Sequence, residues 1–177
     1  MFKKLVIYIF VAIFLSSIFP NNSEAVNYRK SNFEITFPDQ CDHLWDFSNG
    51  ITADNNNYRI AVWFPTPLDN EQQKICNGKT ELSQLTPNEL QLLVDHLATI
   101  RQKDNANNKI LRASLMNVSS VKAPAVHYIH EGIEFLDIQI IYEGALYTLT
   151  FTAKTDSFDK YEKEIFIPTI SSFKIRK

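Results

Sequence analysis

The stretch EFLDIQIIYEGALYTLTFTA, residues 134–153, decides the fold. Two alternating apolar runs flank Glu143-Gly144, and a two-residue turn there sets Tyr142 against Ala145, Ile140 against Tyr147, Ile138 against Leu149 and Leu136 against Phe151. All of those pairs are apolar and share one face, while Gln139–Thr148 and Asp137–Thr150 fall on the other. A slip of one residue would turn the whole apolar set to the wrong side, so the register is fixed. The apolar face needs a cover, and Phe158, Tyr161 and Ile165 follow at once to supply it.

Working back from this hairpin, residues 110–118 and 124–130 complete a four-strand meander. The turn between 124–130 and 134–142 has two solutions. Two residues at Glu131-Gly132 would place His127 opposite Leu136 on the core face; three, through Ile133, would set Tyr128 against Leu136 and Val126 against Ile138. Apolar matching favours the second, with His127 outward and His130 beside Glu134. Earlier strands are signalled by Phe33, Ile35 and Phe37 up to Pro38, and by Tyr58, Ile60, Val62 and Phe64 up to Pro65, with residues 43–52 as a further strand and 54–57 as a turn.

One helix carries its own start signal. Thr86-Pro87-Asn88-Glu89 reads as a capping box with proline at the first helical position. Leu90, Leu93, Val94, Leu97 and Ile100 then form an apolar stripe that fades near Lys103-Asp104. Residues 69–86 are polar and read as a surface connection. At the C-terminus, Asp156 can cap a helix bearing Phe158, Tyr161, Ile165, Phe166, Ile170 and Phe173, with a kink or break expected near Ile167 because Pro168 removes a helical hydrogen bond. Lys160 and Lys163 are offset by Asp159, Glu162 and Glu164, which does not suit a membrane-surface helix. The segment therefore reads as a lid, continuing beyond Pro168 as an offset turn or as a short edge strand through Phe173 and Ile175.

The N-terminus reads as a secretory leader: Lys3-Lys4, an apolar run from Leu5 to Phe19, then Ser23-Glu24-Ala25 as a small-x-small cleavage signal. The run falls short of the roughly 20 residues a spanning helix needs. Residues 1–25 are thus expected to be a signal peptide, with an uncleaved membrane anchor as the alternative, and 26–177 a single α+β domain, periplasmic or extracellular, without membrane insertion after cleavage. Removing Lys3, Lys4 and Glu24 leaves 16 basic and 19 acidic residues, a balance without the basic footprint of a nucleic-acid binder.

The chemistry on offer is sparse. Gly50, Gly78, Gly132 and Gly144 form no phosphate-binding loop, and neither a nucleophile elbow nor a His-Glu-x-x-His run is present. His127-x-x-His130, with Glu131, Glu134 and Asp137, has metal-ligand types, but positions three apart on a strand face opposite ways. No metal or cofactor is expected. Asp39/Asp42 read as a polar turn, Asp156/Asp159 as a helix cap, and His96 as packing at the stripe's edge. Trp45 and Trp63 read as core residues; on a shared exposed face they would instead form a ligand platform. Asn117-Val118-Ser119 is a glycosylation sequon with meaning only in a eukaryotic secretory pathway. Export makes a Cys41–Cys76 disulfide the natural reading, closing about 36 residues and contributing about 4 kcal/mol in the chain-entropy model. The rival reading is a reactive Cys41 thiol served by His43.

The order FEITFP, YRIAVWF, one long helix, then a meander closing on YTLTFTA, FDKYEKEIF and ISSFKI resembles the PsbP-like family. That group holds the extrinsic PsbP protein of photosystem II, exported bacterial relatives and a Ran-binding nuclear import factor. The resemblance rests most on Tyr147, Phe151, Phe158, Tyr161, Ile170, Phe173 and Ile175, where the family docks its last helix. It implies an antiparallel sheet of about six to seven strands sandwiched by helices. Pro168 departs from the family's uninterrupted last helix. The family shares no catalytic motif, so no functional residue carries over. Its members mostly act as accessory, binding or scaffold proteins, which implies a non-enzymatic protein that binds or stabilises a protein partner; an enzyme using Cys41 and His43 and an inhibitor of a secreted toxin are the alternatives.

Overall fold

A computed structural model describes residues 25–30 and 32–176. The leader read over residues 1–25 lies, but for Ala25, outside the described residues. A seven-stranded antiparallel sheet runs in the order β3-β4-β5-β9-β8-β7-β6, formed by β3 (His43–Phe47), β4 (Gly50–Asp54), β5 (Tyr58–Pro67), β6 (Lys109–Val118), β7 (Val121–His130), β8 (Ile133–Tyr142) and β9 (Ala145–Lys154). β8 and β9 pair in the register the alternation requires, with Leu136 opposite Phe151 and Asp137 opposite Thr150.

One face of this sheet is covered over its central strands, while every residue of β3 stays exposed. Part of the cover is a second sheet, β1 (Val26–Arg29), β2 (Phe33–Phe37) and β10 (Lys174–Ile175), with β2 central. Phe33, Ile35 and Phe37 are completely buried beneath it, and Phe33 meets Phe64, Tyr147 and Phe173 at ring-centroid distances of 6.0, 6.5 and 5.7 Å. The rest of the cover is the C-terminal helical segment, in which Phe166 packs on Phe151 at 5.2 Å and on Tyr58 at 5.9 Å. The lid reading therefore holds, and the tail ends as an edge strand with Ile175 opposite Phe33.

Pro168 does not break the helix. α3 (Phe158–Tyr161) passes into a π-turn (Glu162–Phe166) and then α4 (Ile167–Ser172). The Ile167 N–H reaches back to the Glu162 carbonyl, so one wider turn absorbs the proline that a regular helix would have expelled. The cap position belongs to Ser157 and not to Asp156, and Ser157 makes no side-chain capping bond.

The opposite face carries α2 (Pro87–Asp104), which begins at the expected capping box and buries Leu90, Leu93, Val94 and Leu97. Residues 69–86 are not a plain connection. Asp69 caps α1 (Asn70–Cys76), accepting from the Glu71 and Gln72 N–H groups, while the Gln72 side chain accepts the Asp69 N–H. Asp-x-x-Gln is a capping box in a less familiar alphabet. Residues 43–52 likewise resolve into two strands, β3 and β4, joined at residues 48–49.

The turn at residues 131–132 corrects the three-residue reading. His127 stands opposite Leu136 and His130 opposite Ile133. Glu131 (φ 49°) and Gly132 (φ 79°) both occupy the left-handed region, as the tight turn that matches strand twist requires. Apolar matching misjudged this turn because His127 is buried by pairing with another inward polar residue, Glu134, across 2.5 Å. His130 lies by Glu131, at 3.8 Å, and not beside Glu134. Among the described residues, no helix is long and apolar enough to cross a membrane.

Candidate functional site

The helical side of the main sheet is only half covered. α2 shields β6 and β7 through Leu97 against Val126 and Tyr128, and α1 reaches β8 through Gln72 Nε2 donating to Gln139 Oε1 at 3.1 Å. Beyond this, among the described residues no helix lies over β9, β5, β4 and β3 on this side. Strand parity assigns the open side: Tyr58, Ile60 and Val62 are buried in the core, so Arg59, Ala61 and Trp63 face the other way.

Three rows cross this open face. Phe47, Gly50, Trp63 and Thr148 stand opposite one another, then Trp45, Thr52, Ala61 and Thr150, then His43, Asp54, Arg59 and Thr152. Trp45 and Phe47 are each 50% exposed and Trp63 39%. Thr52, Ala61 and Gly50 are nevertheless buried; with no helix above them, the rings are their cover. Trp45 and Trp63 therefore share an exposed face and are not core residues.

Local contacts hold the rings in place. Trp63 Nε1–H donates to Thr150 Oγ1 at 3.2 Å. A Cβ on Gly50 would stand 2.9 Å from the Val62 carbonyl and 3.0 Å from Trp63 Cε3, so glycine is what lets the indole lie close over the neighbouring strand. His43 stacks on Trp45 with 5.8 Å between centroids and 22° between planes, and its Nδ1 lies 3.6 Å from Asp54 Oδ1. Such a surface can stack on planar or apolar groups and attract cations to its ring faces, while the threonine rows offer hydroxyl donors and acceptors.

β3 is also the edge of the sheet: every residue in it is exposed, and among the described residues no strand pairs with its outer side. Natural edges are usually blunted by charge, bulges or cover. Here Leu44, Trp45 and Phe47 are exposed on the edge strand, with His43 stacked on Trp45 and Lys30 paired to Asp46.

The cysteines do not pair; both are free thiols. The expected disulfide fails on topology. Cys41 Sγ lies 3.8 Å from the Tyr58 hydroxyl, and Tyr58 is opposite Ala153 at one end of β9. Cys76 closes α1 just before Thr80, whose carbonyl accepts the Gly144 N–H at the other end of β9. Those ends are about 26 Å apart along the strand, against the ~7 Å Cα limit for a bridge. Nor do Cys41 and His43 form a reactive pair: burial pushes the Cys41 thiol up to about 11, with Asp54, Asp42 and Asp39 adding to the shift, while His43 is engaged with Trp45 and Asp54.

The remaining candidates serve structure. His127 and Glu134 pair beneath the C-terminal segment, with the Phe158 ring 4.6 Å from the imidazole. Burial raises Glu134, with His127 opposing that shift. Asp137 takes Arg101 Nε at 2.5 Å and the Tyr128 hydroxyl at 3.2 Å. His96 Nε2 meets Asp69 Oδ2 at 2.8 Å, tying α2 to α1. The described residues bring no three His, Cys, Asp or Glu side chains together around a metal position. Two clefts are also present: one of about 420 Å³ between Val118, Tyr142 and Phe173, and one of about 380 Å³ beside His127, with Arg112 and Glu162 at its rim.

No protein-family model matches this chain, and no curated protein matches it in sequence. Its fold does have counterparts. The solution structure of the cyanobacterial PsbP protein (CyanoP) from Synechocystis matches with a TM-score of 0.59 at 11% identity, covering 87% of this chain and 94% of that one. The fold is therefore PsbP-like. Weaker likenesses include LpqN of Mycobacterium tuberculosis, described as involved in cell envelope biogenesis (TM-score 0.47, 16% identity, 87% of this chain and 90% of that). Another is a Bacteroides thetaiotaomicron protein (TM-score 0.46, 14% identity, 82% of this chain), of whose length this chain spans 45%.

Proposed function

We propose that this protein is an exported, non-catalytic binding protein that holds a protein partner in the cell envelope or outside the cell through the aromatic face of β3, β4 and β5. Export rests on the leader-like sequence Lys3 to Ala25. The observation that carries the binding role is the exposure of Trp45, Phe47 and Trp63 on one uncovered face. Large apolar side chains gathered on a soluble surface usually mark an interaction site, and tryptophan is enriched among the residues that dominate interface energetics. The half-buried thiol of Cys41, which burial raises to about 11, argues against the thiol-enzyme alternative, since the thiolate is the nucleophile.

The test is affinity capture from an envelope extract of the source cells, comparing the wild-type domain with the Trp45→Ala/Trp63→Ala double variant. The proposal expects a protein retained by the first and lost by the second. Identical captured sets would contradict it.

A further inference from the structure

Resting on that reading of the aromatic face, we infer that His43 regulates it: gripped between Trp45 and Asp54, the imidazole is a positioning residue that holds the Trp45 ring more firmly when protonated than when neutral. His43 and Trp45 stand two residues apart on β3 and so on the same side of the sheet. Their rings stack, with 5.8 Å between centroids and 22° between planes. The imidazole has a second partner directly across the β3–β4 ladder, where its Nδ1 lies 3.6 Å from Asp54 Oδ1. Asp54 is in turn fixed by Arg59, whose Nε lies 3.3 Å from the other carboxylate oxygen, Oδ2. Arg59, Asp54, His43 and Trp45 therefore form one chain of contacts across three strands.

Protonation strengthens both contacts of the ring. A neutral imidazole stacks on the indole without charge, whereas an imidazolium is a cation over a π face; at an exposed site that favours the stacked ring by about two- to fivefold. Its Nδ1–H can then donate to the Asp54 carboxylate as a charge-assisted bond. The surrounding charges do not reverse this. The row that crosses the sheet at His43 holds Asp54, Arg59 and Thr152, and Arg59 is the partner of Asp54. Asp46 has the other parity on β3 and is engaged by the Tyr28 hydroxyl at 2.8 Å and by Lys30 at 3.2 Å. Asp39 and Asp42 act on the Cys41 thiol, and the grip on His43 does not depend on them. The other three histidines are engaged elsewhere, His96 with Asp69, His127 with Glu134 and His130 with Glu131. Trp45 therefore reports on His43.

The experiment follows Trp45 in the Trp63→Phe protein, where it is the one tryptophan left of two. Time-resolved emission anisotropy is recorded at pH 5 and pH 8, the range over which histidine changes charge, with circular dichroism confirming that each variant is folded. The amplitude of fast local motion of the indole is expected to be about twofold or more smaller at pH 5 than at pH 8. Adding His43→Gln should abolish the difference. Adding His43→Phe should keep the indole restrained at both pH values, because phenylalanine stacks without titrating. Adding Asp54→Asn should at least halve the difference. Equal amplitudes at the two pH values in the Trp63→Phe protein, a difference that survives His43→Gln, or an Asp54→Asn protein that responds like its parent would each overturn the inference. Partner capture plays no part in this readout. A Trp-dependent captured partner with a pH-insensitive Trp45 sinks the regulation and leaves the binding role standing; a pH-sensitive Trp45 with identical captured sets does the reverse.

Discussion

Trp63 lies against Gly50 so closely that a single added methyl group would stand 3.0 Å from its ring. The contact ties the exposed aromatic face to a residue in the neighbouring strand. Gly50→Ala is expected to push the indole off Thr150, because the Val62 carbonyl on the other side is backbone and cannot yield. The expected cost is about 1–3 kcal/mol, typical of overpacking. In a Trp45→Phe background, the emission of Trp63 should shift to longer wavelength; unchanged stability and emission would show that the ring does not depend on this glycine.

Because the thiols stand at opposite ends of β9, reduction should leave the protein unaltered. Thermal unfolding with and without reductant is expected to coincide, and both thiols should titrate in denatured, never-reduced protein. A structural disulfide would instead lose about 2–5 kcal/mol on reduction.

The His127–Glu134 pair predicts a pH-dependent defect. His127→Leu leaves Glu134 buried without its partner, at an expected cost of about 3–5 kcal/mol near neutral pH. Burial, joined by Asp159 and Glu162, raises the folded-state pKa of Glu134 above its unfolded value of 4.5, and the variant removes the opposing histidine. The folded variant then holds the proton more tightly than the unfolded chain, so stability falls as pH rises through the folded pKa and is recovered toward pH 4.5. Urea unfolding midpoints at pH 5 and pH 8 check this: a defect equal at both would show that Glu134 is not the strained group.

Glu89 behaves in the opposite sense. The Lys79 ammonium, 2.6 Å away, and the Thr86 N–H hold it down to about 2. A depressed carboxylate stabilises the fold above its unfolded pKa, and that contribution is lost as pH falls from about 4.5 toward 2. Glu89→Gln should therefore flatten the acid branch of stability against pH. An acid branch parallel to that of the wild type would assign it to other carboxylates.

Much of this was legible in the sequence. Strict alternation fixed the β8–β9 register, and Thr86-Pro87-Asn88-Glu89 marked the start of α2, because both rest on local periodicity and capping. The 131–132 turn was not, because it depends on two polar residues, His127 and Glu134, satisfying each other inside the core. The disulfide failed for a related reason: separation in sequence carries no information about which end of β9 each cysteine reaches. The aromatic face was half visible. Inward placement of Tyr58, Ile60 and Val62 already turns Trp63 outward by parity. That Trp45 joins it depends on the β3–β4 hairpin, and that no described helix covers them depends on where α1 and α2 dock.

Binding through Trp45, Phe47 and Trp63 is the central prediction. The most direct measurement is the affinity of the captured partner for wild type, for Trp63→Ala, and for Leu92→Ala as a control at an exposed residue on α2. The expected result is at least a tenfold loss for Trp63→Ala with Leu92→Ala unchanged. Equal affinity in all three would contradict the assignment of this face as the binding site.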